Sequence, residues 1–272
     1  MTVLDDIIVG VKEDMEARRR LVSLVELKDR AAGAVPARDA WAALGGPSSN
    51  RDDLKVIAEI KRRSPSKGDL APIDDPASLA VQYEHGGASV ISVLTEKRRF
   101  GGSLADLDAV RAAVDIPLLR KDFTVDEYQI WEARAHGADL ILLIVAALSD
   151  SELADFSALS HELGMNVLVE THTEEEIERA VAAQAKIIGI NVRNLKTLDV
   201  DRSVFGSLAG LIPAEAVIVA ESGVRTAEDV THYAASGANA ILVGEALVSD
   251  STPRERITEF KAAGAAAIAV RN

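Results

Sequence analysis

The chain of 272 residues contains no cysteine, which excludes disulfides, thiolate metal sites and a cysteine nucleophile. Basic residues are in deficit: 30 Lys and Arg stand against 43 Asp and Glu, a formal net charge of −13. That balance disfavours general binding to nucleic acid or to an anionic membrane, so an anionic ligand has to be captured by local chemistry. No stretch approaches the roughly 20 apolar residues of a membrane span. The opening M-T-V-L-D-D-I-I-V-G-V-K-E-D-M carries acids where a signal peptide needs bases. A soluble, cytoplasmic protein is expected. Histidines number 5, and without an HxxxH or HxH spacing no metal site is expected. His85, His136, His161, His172 and His232 read as surface or capping residues.

Hydrophobic residues make up 48% and charged ones 27%, the balance of a globular protein with a sizeable core. Residues 2–33 read as helical, with Leu4, Ile7, Ile8, Val11 and Met15 at three-to-four spacing. The breakers A-G-A-V-P, a short Arg38 to Leu44 segment and the breakers G-G-P-S-S-N follow. Residues 1–50 therefore form a helical N-terminal extension and 51–272 a second unit. In that unit short β-branched runs alternate with amphipathic stretches. The predicted strands are Val56 to Lys61, Ala88 to Thr95, Ile116 to Phe123, Asp139 to Ala146, Asn166 to His172, Ile187 to Asn194, Ala216 to Ser222 and Ala240 to Gly244. Between them, Pro76 to Gly86, Leu104 to Val114, Val125 to Ala135, Asp150 to Leu163, Glu174 to Ala185 and Ala227 to Ser236 read as helices. H-G-G-A-S-V, A-H-G-A-D-L and A-S-G-A-N-A repeat a helix-capping glycine before a strand. Such alternation implies parallel pairing through crossovers. With no G-x-G-x-x-G after the first strand, an α/β (β/α)8 barrel fits better than an open doubly wound sheet.

A barrel builds its site at the C-terminal ends of its strands, and polar residues gather there. In V-I-A-E-I-K-R-R-S-P-S, Glu59 and Lys61 are two apart and share one strand face. Burying such a pair costs several kcal/mol per ion before compensation, which points to function. Strand three ends in Arg120, Lys121 and Asp122, strand five in Glu170, strand six in Asn191 and Arg193, and strand seven in Glu221 and Ser222. Alone, each is more simply a loop salt bridge or a cap. Together, three carboxylates and two lysines around one axis make a site whose members perturb each other's proton affinities. E-S-G-V-R-T and V-G-E-A-L place Gly223 and Gly244 after strands seven and eight, where barrels commonly bind phosphate through backbone N–H groups; plain tight turns are the simpler alternative. Ser64 and Ser66 offer hydroxyls, and Pro65 stiffens their loop. The basic, Gly-ended Arg62 to Gly68 segment is expected to be mobile. Phe123 and the leucines of L-L-I-V-A-A-L offer apolar walls to an aromatic ligand, with core packing as the default.

These motifs resemble the indole-3-glycerol phosphate synthase family. I-A-E-I-K-R-R-S-P-S, S-V-L-T-E with F-G-G-S, L-L-R-K-D-F, A-D-L-I-L-L-I-V-A-A-L, L-V-E-T-H, I-G-I-N-V-R-N-L, V-A-E-S-G and V-G-E-A-L stand in family order from about Val56 to Val248. The resemblance implies a lyase that closes the ring of 1-(2-carboxyphenylamino)-1-deoxyribulose 5-phosphate, a phosphosugar carrying an anthranilate ring. Carbon dioxide and water leave, and no cofactor or metal is used. It implies Lys121 as the general acid, Glu170 as its acid/base counterpart, Glu59 as the first-strand carboxylate, and Lys61 as the lysine that meets substrate anions. By the same resemblance Asn191, Arg193, Glu221 and Ser222 position the substrate, Phe123 and Ser64 border it, and Gly223, Gly244 and the Glu245 backbone hold the phosphate. Glu245 stands where some members have serine, so its side chain is not expected on the anion. How Lys61 and Lys121 divide the proton transfers stays open. The alternatives are a phosphoribosylanthranilate isomerase, from which the common cysteine base is missing, a tryptophan synthase α-like lyase, and a non-catalytic phosphometabolite-binding barrel.

Overall fold

A computed structural model describes residues 3–46, 52–194 and 197–271. Eight parallel strands close into a barrel in chain order: β1 Lys55–Ile60, β2 Val90–Leu94, β3 Leu118–Lys121, β4 Leu140–Ile144, β5 Asn166–Thr171, β6 Ile187–Asn191, β7 Val217–Glu221 and β8 Ala240–Val243. Every predicted strand is present, with ends trimmed by up to three residues except that β1 begins one residue earlier than expected. Helices α4 Pro76–His85, α5 Leu104–Ala113, α6 Glu127–Ala135, α7 Asp150–Glu162, α8 Glu174–Ala182 and α10 Ala227–Ala235 fall on the predicted stretches. Elements that were not predicted are the short α9 Phe205–Ala209, α11 Glu245–Val248 after β8, and the long α12 Pro253–Arg271.

The N-terminal segment is interrupted. Instead of one helix there are α1 Val3–Leu21 and α2 Leu24–Ala32, because the Ser23 hydroxyl accepts the Glu26 N–H and starts a new helix. The Pro47 to Asn50 part of the predicted breaker lies outside the described residues, as does Thr2. The short α3 Ala40–Ala43 closes the N-terminal end of the barrel. Asn166 Oδ1 accepts the N–H groups of Ala40 and Trp41 at 2.7 and 3.2 Å, and Ala40 and Leu44 are buried against the lower lumen residues Val90, Leu140, Ile187 and Ala240. After β1 the chain forms a small hairpin, Arg63–Ser64 paired with Gly68–Asp69.

Side-chain alternation gives the barrel two cores. Val56, Ala58, Ile60, Ile91 and Val93 pack outward against the helices, whereas Ile57, Leu119, Leu168 and Val219 fill the lumen. Around the barrel the pairing is Glu59 with Ser92, Lys121 with Leu94, Glu170 with Ile144 and Gly189, and Glu221 with Asn191 and Leu242. Each step of two strands advances the lumen position by two residues, the stagger of an eight-stranded barrel of this type. The topmost complete layer contributed by the odd-numbered strands is therefore Glu59, Lys121, Glu170 and Glu221. A position that lower layers fill with branched aliphatics is here ionisable on all four strands.

Candidate active site

The Lys121 ammonium is the centre of this layer. It donates to Glu221 Oε2 at 3.0 Å and lies 3.6 Å from Glu170 Oε2 and 3.9 Å from Glu59 Oε1. Lys61, one residue beyond β1, pairs with Glu59 Oε2 at 2.5 Å. All three carboxylates are buried. Asn191, at the end of β6, donates through Nδ2 to Glu170 Oε1 at 3.1 Å, and its Oδ1 accepts the Ser222 hydroxyl at 2.9 Å and the Arg193 N–H at 3.1 Å. Ser222 has φ +70°, a left-handed conformation costly for a residue with a Cβ. Tyr233 holds it there by donating to its carbonyl at 3.1 Å.

Room for so much charge comes from missing side chains on neighbouring even strands. A Cβ at Gly189 on β6 would lie 2.0 Å from Glu221 Oε1, and one at Gly244 would lie 2.5 Å from Glu59 Oε2. Gly223 has φ +79° and is closely overlain by Tyr233. Arg193, half-buried, donates to the Leu198 carbonyl at 2.8 Å. The Glu245 carboxylate pairs with Lys67 of the hairpin. Ser64, Pro65 and Ser66 border the same pocket, and Phe123 forms an apolar wall with Phe100 at a ring separation of 6.0 Å. Apart from Arg120, one pocket thus brings together the strand-end, loop and glycine residues that the sequence pointed to. Arg120 is different: alternation turns it outward, where it pairs with Glu132 at 2.8 Å and Asp122 at 3.1 Å, and Asp122 accepts from Thr95 at 2.5 Å.

A family model for indole-3-glycerol phosphate synthase matches residues 4–260. The chain belongs to the indole-3-glycerol phosphate synthase family. It is 92% identical to the indole-3-glycerol phosphate synthase of Paenarthrobacter aurescens, with both chains fully covered. It is also 61% identical to that of Micrococcus luteus, over 97% of this chain and 98% of the relative. A thiamine phosphate pyrophosphorylase from Pyrococcus furiosus shares the barrel fold with a TM-score of 0.61 at 15% identity, over 80% of this chain and 98% of that one.

Within this family barrel, electrostatics separates the three carboxyls. Burial opposes charge on each. Lys61 and Lys121 outweigh it for Glu59, and Lys121, His172 and the Asn191 amide outweigh it for Glu170, so both are held below the ordinary carboxylate range. Glu221 is pushed up to about 8, by burial first and then by the charge of Glu170, against the pull of Lys121. Lys121 is held strongly protonated: burial works against its charge, but Glu221, Glu170 and Glu59 prevail. Near neutrality two ammonium groups therefore face two carboxylates and one carboxylic acid, a balanced set.

Three features of the site were not read from sequence. Val3, Leu4 and Ile7 of α1 border the pocket; their helical spacing was visible, but nothing local says which surface the stripe covers. Phe100 and Arg225 stand in quoted motifs, yet their approach to the pocket depends on loop paths. His172 is neither a surface nor a mere capping residue: its side chain is only 11% exposed and its Nε2 lies 3.5 Å from Glu170 Oε1. Among the described residues no group of His, Asp and Glu is arranged to hold a metal ion, and no helix is long and apolar enough to cross a membrane.

Proposed function

We propose that the protein converts 1-(2-carboxyphenylamino)-1-deoxyribulose 5-phosphate to indole-3-glycerol phosphate with its own side chains. It acts in the cytoplasm, where so charged a substrate would be made and used, with residues 51–272 as the catalytic barrel and 1–50 as an extension. The observation that carries this reading is a lysine ammonium surrounded by carboxyl groups at the floor of a pocket walled by Phe100 and Phe123. The aromatic ring of the substrate lies along that wall. The phosphate is held at the ends of β7 and β8 by backbone N–H groups near Gly223 and Gly244, with Lys61 and Arg193 as nearby cations.

The chemistry follows. The ring carbon bearing the carboxylate attacks the sugar carbonyl, and the oxygen gains negative charge. Lys121 stabilises that charge and gives the oxygen a proton; a high proton affinity is no obstacle, because the alkoxide is a strong base too. The bond to the carboxylate then breaks, its electron pair restores the aromatic ring, and carbon dioxide leaves. In the last step Glu170 takes the proton from the carbon next to nitrogen while the hydroxyl takes one from Lys61 or Lys121 and leaves as water. Asn191 and Ser222 fix Glu170, and Glu59 holds Lys61 in place through their ion pair.

Purified protein given this substrate should yield the fluorescent indole product. No turnover at high enzyme concentration would overturn the reading. Lys121→Ala should lower kcat by about 10²-fold or more, the usual scale for a positioned acid; unchanged turnover would show that Lys121 is not the acid.

A further inference from the structure

Glu170 is approached from two sides. Its Oε2 faces the Lys121 ammonium at 3.6 Å, while its Oε1 accepts from Asn191 at 3.1 Å and lies 3.5 Å from Nε2 of His172. On the far side of the imidazole, Nδ1 lies 3.2 Å from Glu176 Oε2 in the first turn of α8, and the same oxygen accepts the His172 backbone N–H at 2.7 Å. Glu176 thereby fixes Nδ1–H, which leaves Nε2 directed at Glu170. That nitrogen is buried and makes no hydrogen bond, an unfavourable condition for a polar group. Helix capping does not require it, since the Thr173 hydroxyl already accepts the Glu176 N–H at the start of α8. Burial alone would discharge the ring. Glu176 from α8 and Glu170 from β5 face it and hold its proton affinity above the ordinary value, and the Glu221 carboxyl of β7 faces it as well.

The reaction proposed above, on which this inference rests, consumes one proton in each turnover. The substrate enters with an ionised ring carboxylate and loses neutral carbon dioxide. Two protons are delivered, one to the carbonyl oxygen and one to the departing hydroxyl, and one returns from carbon.

We propose that His172 holds the missing proton, and that Glu176 is the positioning residue that keeps it there. As Lys121 becomes a neutral amine, the imidazolium passes its Nε2 proton to the Glu170 carboxylate, and the neutral carboxylic acid so formed turns its hydroxyl to the amine and gives up that same proton. Glu170 ends as it began, Lys121 is an ammonium again, and His172 is neutral with its proton on Nδ1. Water recharges Nε2 when the product leaves and the pocket opens. His172 thus acts through Glu170 and Lys121 and not on the substrate.

The test compares wild type with His172→Gln and Glu176→Gln. The glutamine at 172 keeps an amide that can donate to Glu170 but cannot carry the proton. Its kcat should fall about 10-fold with KM within about two-fold, less than for a direct acid, and the alkaline decline of kcat due to the imidazole should vanish. Without substrate, the His172 imidazole should titrate by NMR above 6.5, the ordinary value, and move down in Glu176→Gln. A His172→Gln enzyme within about two-fold of wild-type kcat and with the same alkaline limb would overturn the proposal, as would an imidazole that titrates at or below 6.5. If wild type shows no turnover, the lyase reading fails, and the NMR titration still decides whether His172 holds a proton.

Discussion

Glu221 uses its two oxygens differently. Oε2 accepts from Lys121 at 3.0 Å, while Oε1 is buried without a hydrogen-bond partner. A charged oxygen so placed is costly, whereas a hydroxyl directed at Glu170 is not. Burial and the charge of Glu170 accordingly push Glu221 up to about 8, against 4.5 for an ordinary glutamic acid. The sign of the stability effect follows from linkage. Below 4.5 the carboxyl is protonated whether the chain is folded or not, and the favourable contribution of the neutral acid is complete; it is lost as pH rises through about 8. Glutamine mimics the protonated acid and does not titrate. In thermal unfolding at about pH 5, 7 and 9, Glu221→Gln should therefore gain on wild type steadily as pH rises. A constant difference across that range would show that Glu221 titrates like an exposed carboxyl.

At the scale of elements, what was legible depended on whether the signal is local. The eight strands were readable because each is a short, mostly apolar run, and β2, β4 and β8 are announced by a capping glycine followed by an alanine. The facing of Glu59, Lys121, Glu170 and Glu221 was readable because alternation along a strand is fixed. The hairpin at Arg63–Asp69, the cap at Ser23 and the approach of His172 to Glu170 depend on contacts between distant segments or on a single side-chain hydrogen bond. The role of Gly189 was hidden for a related reason: I-I-G-I-N reads as a weakened strand, and only the stagger between β6 and β7 brings Glu221 over the glycine. Gly189→Ala sets a methyl group 2.0 Å from Glu221 Oε1. Overpacking of this kind costs about 1–3 kcal/mol, and displacement of Glu221 loosens the nearest partner of Lys121. The variant should unfold at lower temperature and lose at least about 10-fold in kcat. Gly206→Ala in α9, whose Cβ meets nothing nearer than 3.6 Å, should leave kcat unchanged and serves as the control.

Taken as a whole, the molecule uses α1 to connect its rim with its charged interior. The first turns border the pocket through Val3, Leu4 and Ile7. Along the middle, Asp14 and Glu13 pair with Arg98 at 2.7 Å each, next to the loop that leads from β2 to Phe100. Near its C-terminal end Arg18 donates to Glu132 at 2.7 and 3.0 Å, Glu132 also accepts from Arg120, and Arg120 precedes Lys121 on β3. Glu132 is buried; burial works against its charge, but Arg120 and Arg18 outweigh it and hold its carboxyl low. That contribution to stability is present above the unfolded value of 4.5 and is lost as pH falls through the lowered one. Arg18→Leu removes one of two cations from a buried carboxylate. Loss of a sole partner in a buried pair costs about 3–5 kcal/mol, but Arg120 remains and Arg18 is 31% exposed, so about 1–2 kcal/mol is expected. The stability difference from wild type should hold at neutral pH and shrink below 4.5 as Glu132 becomes protonated in both. Kinetics should separate the two ends of the helix. The proton-transfer cluster stands on strands and keeps its geometry, whereas the wall made by the start of α1 loses an anchor. KM should therefore rise more than kcat falls. A loss confined to kcat would instead mean that Arg18 acts on Lys121 through Glu132 and Arg120, and that the wall formed by α1 stands without it.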